Sequence, residues 1–186
     1  MVGDSRIDPW SSQQSTDYER ITNNFGLSKI DISKIPNPNL LHRRGIIFAH
    51  RDLDTILGRI NLGEDFGVLT GLMPSGKMHL GHSMVINQVK WFQDQGGDVT
   101  VTVADLEALA TRNVSLEEGR KIALSEYINN YAAMGLDPEK TNIYFQSMRP
   151  AVQRLGFTLG QKTNISEFEA IYGFSGETNL AHVQAP

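Results

Sequence analysis

Apolar residues are sparse at the start of the chain. Ser11, Ser12, Gln13, Gln14 and Ser15 follow one another, and residues 1–17 read as an extended polar arm. Residues 18–30 carry Tyr18, Ile21, Phe25 and Leu27 at weak helical spacing, and Pro36-Asn37-Pro38-Asn39 marks a turn. Leu53, Ile56, Leu57 and Ile60 then recur at i, i+3, i+4 and i+7, which predicts a helix from Arg51 to Ile60 with Asp52 and Asp54 in its first turn. The pattern changes at Phe66. Phe66–Thr70 reads as a short strand closed by Gly71, and Gly81–Gln95 as a helix with Val85, Val89 and Phe92 on its apolar face, ended by Gly96-Gly97. Asp98–Ala104 alternates Val99, Val101 and Val103 with Thr100 and Thr102, a β-branched strand pattern. Ser115 stands three before Glu118, the spacing of a reciprocal helix cap. The helix it opens shows Leu124, Ile128 and Tyr131 as its apolar face and Gly135 as its end. Asn142–Gln146 is a third strand, and Ser166 with Glu169 repeats the cap spacing.

The order strand–helix–strand–helix–strand predicts an α/β fold, a parallel sheet flanked by helices. Ligands of such sheets bind beyond the carboxyl ends of the strands. The chain divides into an N-terminal arm and helical extension, residues 1–62, and an α/β unit, residues 63–186. At 186 residues with 40% hydrophobic and 20% charged positions, the chain can bury a core. It has no cysteine, which excludes disulfides and cysteine metal sites. No apolar run approaches the ~20 residues that cross a bilayer, and Met1–Trp10 does not read as a signal peptide. The expected location is the cytoplasm. Net charge is −4, so any broad grip on nucleic acid is expected elsewhere, or on a local patch such as His42, Arg43 and Arg44.

The chemistry gathers between the first strand and its helix. Residues 70–82 read Thr-Gly-Leu-Met-Pro-Ser-Gly-Lys-Met-His-Leu-Gly-His. A helix N-terminus carries unpartnered N–H groups and attracts anions. His79 and His82 flank Gly81, whose missing Cβ allows a base or ribose close to the backbone, and Lys77 adds a mobile positive charge. The two imidazoles can donate to phosphate oxygens. By residue type alone, a helix cap fits as well, and a metal site fits less well because no cysteine or third histidine lies close in sequence. The loop is neither a Walker loop nor a Gly-x-Gly-x-x-Gly fingerprint.

Pro74–His82 resembles the HIGH signature of the class I aminoacyl-tRNA synthetases, and Pro-Ser-Gly-Lys before His-x-Gly-His is similar to the tryptophanyl and tyrosyl members. Ala104-Asp105-Leu106-Glu107 resembles the region that lines their amino-acid pocket. Asp8-Pro9-Trp10, Phe25-Gly26, His42–Gly45, His50–Leu53, Ile171–Phe174 and Gln184–Pro186 are similar to archaeal and eukaryotic tryptophanyl members, the first four of these within their N-terminal extension. The resemblance implies a Rossmann-like sheet and a ligase that activates tryptophan with ATP, magnesium accompanying the ATP, and passes it to tRNA(Trp) as a homodimer. It implies catalytic roles for His79, His82 and Lys77, and ATP contacts from Gly71, Pro74, Ser75, Gly76, Met78, Leu80 and Gly81. It matches Leu69, Thr102, Asp105, Glu107 and Gln184 to the amino-acid pocket, with Glu107 and Gln184 as candidate acceptors for an indole N–H. No protein-held metal is implied. Eukaryotic tryptophanyl members carry Tyr and Gln where this chain has Leu69 and Thr102. Asp105 and Glu107 also read as ordinary loop acids, and Thr102 as a plain strand residue. Trp10 either folds over the active site or anchors the arm on the core.

The family's second, lysine- and serine-rich ATP motif and its helical anticodon-binding domain do not occur within these residues. The expectation is therefore a fragment that binds ligand weakly and does not charge tRNA. Three other readings remain: a tyrosyl-tRNA synthetase, a HIGH-type nucleotidyltransferase that makes a cofactor, and a non-catalytic partner-binding module derived from a synthetase.

Overall fold

The computed structural model describes Glu19, Thr22, Asn23 and residues 26–166. Trp10, the Ile171–Phe174 segment, Glu169 and Gln184 lie outside the described residues.

Three strands form a parallel sheet in the order β3-β4-β5: β3 (Gly67–Leu72), β4 (Asp98–Val103) and β5 (Thr141–Phe145). Gly67 pairs with Asp98 and Leu72 with Val103, while Val99 pairs with Thr141 and Val103 with Phe145. The central strand carries the core: Val99, Val101 and Val103 are 2%, 0% and 0% exposed. Against these valines pack Ile86 and Val89 of helix α3 (Leu80–Asp94), together with Ala123, Tyr127 and Tyr131 of the second crossover. Both crossovers therefore cover the same face of the sheet. Strand alternation puts Leu69, Gly71, Thr100, Thr102 and Tyr144 on the other face. Leu69 is 74% exposed there, so that face is open at β3.

Before the sheet, β1 (Ser28–Lys29) pairs antiparallel with β2 (Ala49–His50), and two helices follow the turn, α1 (Leu40–Arg43) and α2 (Leu53–Leu62). Ile35 and Leu57 share a small core with Trp91 of α3. The Trp91 indole N–H donates to the carbonyls of Pro36 and Asn37, each at 3.1 Å. At the far end of α3, buried Gln93 donates to Thr141 Oγ1 at 2.9 Å and accepts from the Asp137 N–H at 2.8 Å, tying the helix to the start of β5. A third close fit lies at Gly97. A Cβ there would meet Phe66 Cε2 at 2.7 Å, Val68 Cγ2 at 2.8 Å and the Phe92 carbonyl at 3.0 Å. Gly97→Ala should therefore cost about 1–3 kcal/mol through overpacking, read as a lower midpoint in urea unfolding with unchanged slope. A midpoint equal to that of the parent chain would show that the contact yields.

Several elements depart from the sequence pattern. Gly26 sits at φ +60, with Gly26 N–H bonded to Asn23 O and Leu27 N–H to Thr22 O. Beyond this left-handed turn Ser28–Lys29 is a strand rather than helix, while Tyr18, Ile21 and Phe25 lie outside the described residues. Helix α2 starts at Leu53, because Asp52 adopts a left-handed conformation, φ +57. β3 runs on through Gly71 and Leu72, which pair with Thr102 and Val103. On α3 the buried residues are Ile86, Val89, Trp91 and Gln93, while Val85 is 49% exposed. Ala104–Glu107 does not lead into a loop: Asp105–Arg112 is helix α4. The next rod comprises α5 (Leu116–Ile122), a π-helical segment (Ala123–Ile128) and α6 (Asn129–Ala133). Ser115 Oγ accepts from the Glu118 N–H at 3.2 Å, one of the two bonds of the reciprocal cap that its spacing predicts. The π segment moves the buried stripe to Ala123, Tyr127 and Tyr131 and leaves Leu124 46% exposed. Helix α7 (Pro150–Gly160) follows β5, and none of its residues is buried among the described residues.

His42 is not part of an exposed basic patch. It is 4% exposed, its ring edge-on to Trp91 with centroids 4.9 Å apart, and its Nδ1 accepts the Asn39 N–H. Short α1 needs that cap, and the imidazole completes it.

Candidate nucleotide-binding site

The loop from Met73 to His79 leaves the carboxyl end of β3 and enters α3. Pro74 is fully buried, and its ring lies where a Cβ on Gly119 of α5 would touch it at 3.5 Å. Met78 is partly buried against the main core. These two side chains pin the loop down. Ser75, Lys77, His79, Leu80 and Gly81 remain exposed, with Leu80 at 84%, and Gly76 and His82 are half-buried.

His79 is the N-cap of α3, and the cap is reciprocal. The Gly81 N–H donates to His79 Nδ1 at 3.2 Å, and the His79 N–H donates to His82 Nδ1 at 3.3 Å. A neutral imidazole has one acceptor and one donor nitrogen. With both Nδ1 atoms accepting, the protons sit on Nε2, and each ring keeps one donor that the cap does not use. The rings lie against each other, centroids 4.0 Å apart. The helix-cap reading and the phosphate reading are thus compatible, because capping uses one nitrogen of each ring and leaves the other. A Cβ on Gly81 would meet His79 Cε1 at 3.0 Å and Nδ1 at 3.1 Å. The bare glycine is what allows His79 to fold back over the helix start.

Burial, and then the neighbouring His79, hold His82 below the usual histidine value, and burial does the same to His42. A histidine lowered in the folded state adds stability above its ordinary pKa of 6.5, and this stability is lost as pH falls below it. Both caps should weaken on acidification. Denaturant midpoints should fall between pH 7.5 and 5, and His42→Gln and His82→Gln should each flatten part of that slope. A flat profile in the parent chain would contradict the neutral-acceptor geometry.

Beyond the loop, the carboxyl ends of β4 and β5 meet at Asp105. This residue is 3% exposed, and its Oδ1 accepts the Leu106 N–H at 3.1 Å and the Ser147 N–H at 3.0 Å. Its Oδ2 accepts the Ser147 hydroxyl. Both oxygens are engaged in joining α4 to the turn after β5. Glu107, one turn in, is half-buried, and burial raises its pKa against the opposing pull of Arg112. Thr102 is 8% exposed on the open face, paired with Gly71 on one side and Tyr144 on the other. Leu69 lies on the same face one strand over. Tyr144 and Ser147 were not anticipated. Tyr144 packs under the Arg149 guanidinium, 5.2 Å from its ring centroid. Its only sequence signal is its alternation with Ile143 and Phe145.

Among the described residues no group of three or more His, Asp or Glu side chains could hold a metal ion. A cleft of about 510 Å³ lies away from the histidines, lined by Ser33, Lys34, Pro36, Asp54, Leu57 and Asn61. Its two charged residues pair with each other at 3.5 Å on an exposed surface.

The carboxyl end of the sheet thus carries an imidazole pair that caps the helix after its first strand. Residues 61–185 match the family model for class I tRNA synthetases of the W and Y type, and the chain belongs to that family. Within it, the chain is 45% identical over 182 residues to a tryptophan–tRNA ligase of Methanosarcina acetivorans, an alignment covering 97% of this chain and 41% of that protein. A tryptophan–tRNA ligase of Methanocaldococcus jannaschii is 43% identical, covering 97% and 49%. The crystal structure of tryptophanyl-tRNA synthetase from Aeropyrum pernix K1 superposes with a TM-score of 0.81 at 41% identity, over 96% of this chain and 50% of that one. The chain thus spans about half the length, or less, of these relatives. Among the described residues no helix is long and apolar enough to cross a membrane.

Proposed function

We propose that this chain supplies the ATP-binding half of the active site of a tryptophan–tRNA ligase. The observation that carries the reading is the reciprocal His79–His82 cap at the start of α3, which occupies Nδ1 of each ring and leaves Nε2 out of the cap. In the proposed reaction, the tryptophan carboxylate attacks the α-phosphorus of ATP. The bond to the bridging oxygen breaks, pyrophosphate leaves, and tryptophanyl-adenylate forms for transfer to tRNA(Trp). Charge grows on phosphate oxygens as the new bond forms. Two preorganised N–H donors stabilise that charge more than they stabilise the ground state. Exposed Lys77 adds a mobile positive charge beside them, and Ser75, Gly76, Leu80 and Gly81 line the approach. Gly71, Pro74 and Met78 act through the loop's shape. Magnesium would be held by the phosphates themselves, since residues 73–79 contain no carboxylate.

We assign tryptophan to the open face of the sheet beside Leu69 and Thr102, with Glu107 accepting the indole N–H and Gln184 as a second candidate acceptor. A buried donor without a partner is costly, and this demand favours an acidic acceptor. Asp105, clasped to Ser147, shapes the pocket. The homodimer and the cytoplasm remain the expected working form and location.

A melting series tests the amino-acid assignment. At ~100 times its Kd, a ligand that binds only the folded state adds about 2.7 kcal/mol, a Tm rise of roughly 5–10 °C at this chain length. Tryptophan and ATP should each raise the Tm, and tyrosine should not. A rise with tyrosine alone would select the tyrosyl reading.

A further inference from the structure

One aromatic side chain touches the histidine pair from inside the core. His82 meets the Tyr127 ring edge-to-face, centroids 5.2 Å apart at 88°, and Tyr127 meets Tyr131 the same way at 6.4 Å and 85°. Tyr127 is 1% exposed and Tyr131 3%. Tyr127 lies in the Ala123–Ile128 π segment, which has α-helix on both sides. One extra residue in a turn rotates all that follows by about 100°. Helices rarely adopt this form, and where they do it is often beside a functional site. Here its effect can be read directly. The buried stripe runs Ala123, Tyr127, Tyr131, while Leu124 and Ser125 face outward.

A core could be filled without a π segment. This one places a rigid ring under one member of the imidazole pair. Edge-to-face packing fixes a ring plane as well as filling space. The His82 plane determines where its Nε2–H points once Nδ1 is tied to the His79 N–H. We propose that Tyr127, aimed by the π segment, is a positioning residue that fixes the His82 imidazole plane and so the direction of its Nε2 donor. The effect on turnover rests on the phosphate reading above, whereas the effect on His82 does not.

The test separates the two. In the parent chain, nuclear Overhauser contacts should connect Tyr127 ring protons with the His82 ring, and their absence would overturn the proposal without any variant. Tyr127→Phe keeps the ring and should leave the His82 Cε1–H resonance in place. Tyr127→Leu, shown folded by circular dichroism, should move it. In the same series, tryptophan-dependent ATP–pyrophosphate exchange by the protein that contains this chain should keep its rate within about threefold for Tyr127→Phe. For Tyr127→Leu, kcat should drop by roughly 10–100-fold, the scale of a misplaced group, with KM for tryptophan within about twofold of the parent value. A purely structural tyrosine would lower both variants' stability without this split. A His82 resonance unmoved in Tyr127→Leu overturns positioning whatever the turnover. A moved resonance with parental exchange supports positioning and overturns the phosphate reading.

Discussion

His82→Ala should lower kcat for tryptophan-dependent ATP–pyrophosphate exchange by on the order of 10²–10³, the usual loss when one preorganised donor to a developing oxyanion is removed. The substitution removes two things at once. It deletes the Nε2 donor and it deprives the His79 N–H of its acceptor. His82→Asn offers a finer test, because its amide oxygen can still accept the His79 N–H but its amide cannot reach as far as Nε2. It should keep most of the thermal stability and lose most of the rate. KM for tryptophan should change little in either variant, since the amino acid is assigned to the sheet face beyond the loop. A large rise in that KM with kcat unchanged would mean that His82 binds substrate and transition state alike.

The second large effect is on stability. Asp105→Ala strands three donors in a buried place: the Leu106 N–H, the Ser147 N–H and the Ser147 hydroxyl. Hydrogen bonds to charged groups contribute about 1.5–3 kcal/mol each in stability terms, and unpaired buried donors add their own cost. Because the Ser147 hydroxyl can turn elsewhere, the net loss should be about 3 kcal/mol, or a Tm lower by roughly 6–12 °C. Ser147→Ala removes only the hydroxyl donor and should cost about 1 kcal/mol. The ordering Asp105→Ala worse than Ser147→Ala, read by thermal denaturation, follows from the geometry. Equal small losses would mean that water replaces the clasp.

This clasp also shows how far the sequence could be read. Asp105 and Ser147 stand 42 residues apart, and only the parallel pairing of β4 with β5 brings them together. From the sequence Asp105 looks like a pocket acid or a loop acid. Its burial depends on a neighbour that no local pattern announces. Helix α4 was missed for a related reason. It is short and buries only Asp105 and Ala108, while Leu109 is 43% exposed, so the spacing of Leu106 and Leu109 does not mark its buried side. The rod after Ser115 was visible as a helix but given the wrong face, because the π segment breaks the 3.6-residue phase on which such readings depend. His42 looked like one of three surface cations, and its burial follows from Trp91, far along the chain.

The β4 strand and the histidine loop were legible, each for a physical reason. Alternating valine and threonine mark one apolar face, and Val101 and Val103 are fully buried as the alternation requires, whereas the burial of Thr102 on the other face, 8% exposed, could not be read from it. The loop announced itself through residue types that carry chemistry at a helix start. Which nitrogen each histidine would present could not be read. That follows from the cap geometry.

The central claim is that both imidazoles carry their proton on Nε2 and direct it at a triphosphate. Nitrogen-15 spectra of the histidine rings test it directly. At pH 7.5, His79 and His82 should both show protonated Nε2 and bare Nδ1, and saturating magnesium–ATP should move both Nε2 signals. A proton on Nδ1 of either ring, or Nε2 signals indifferent to the nucleotide, would contradict it.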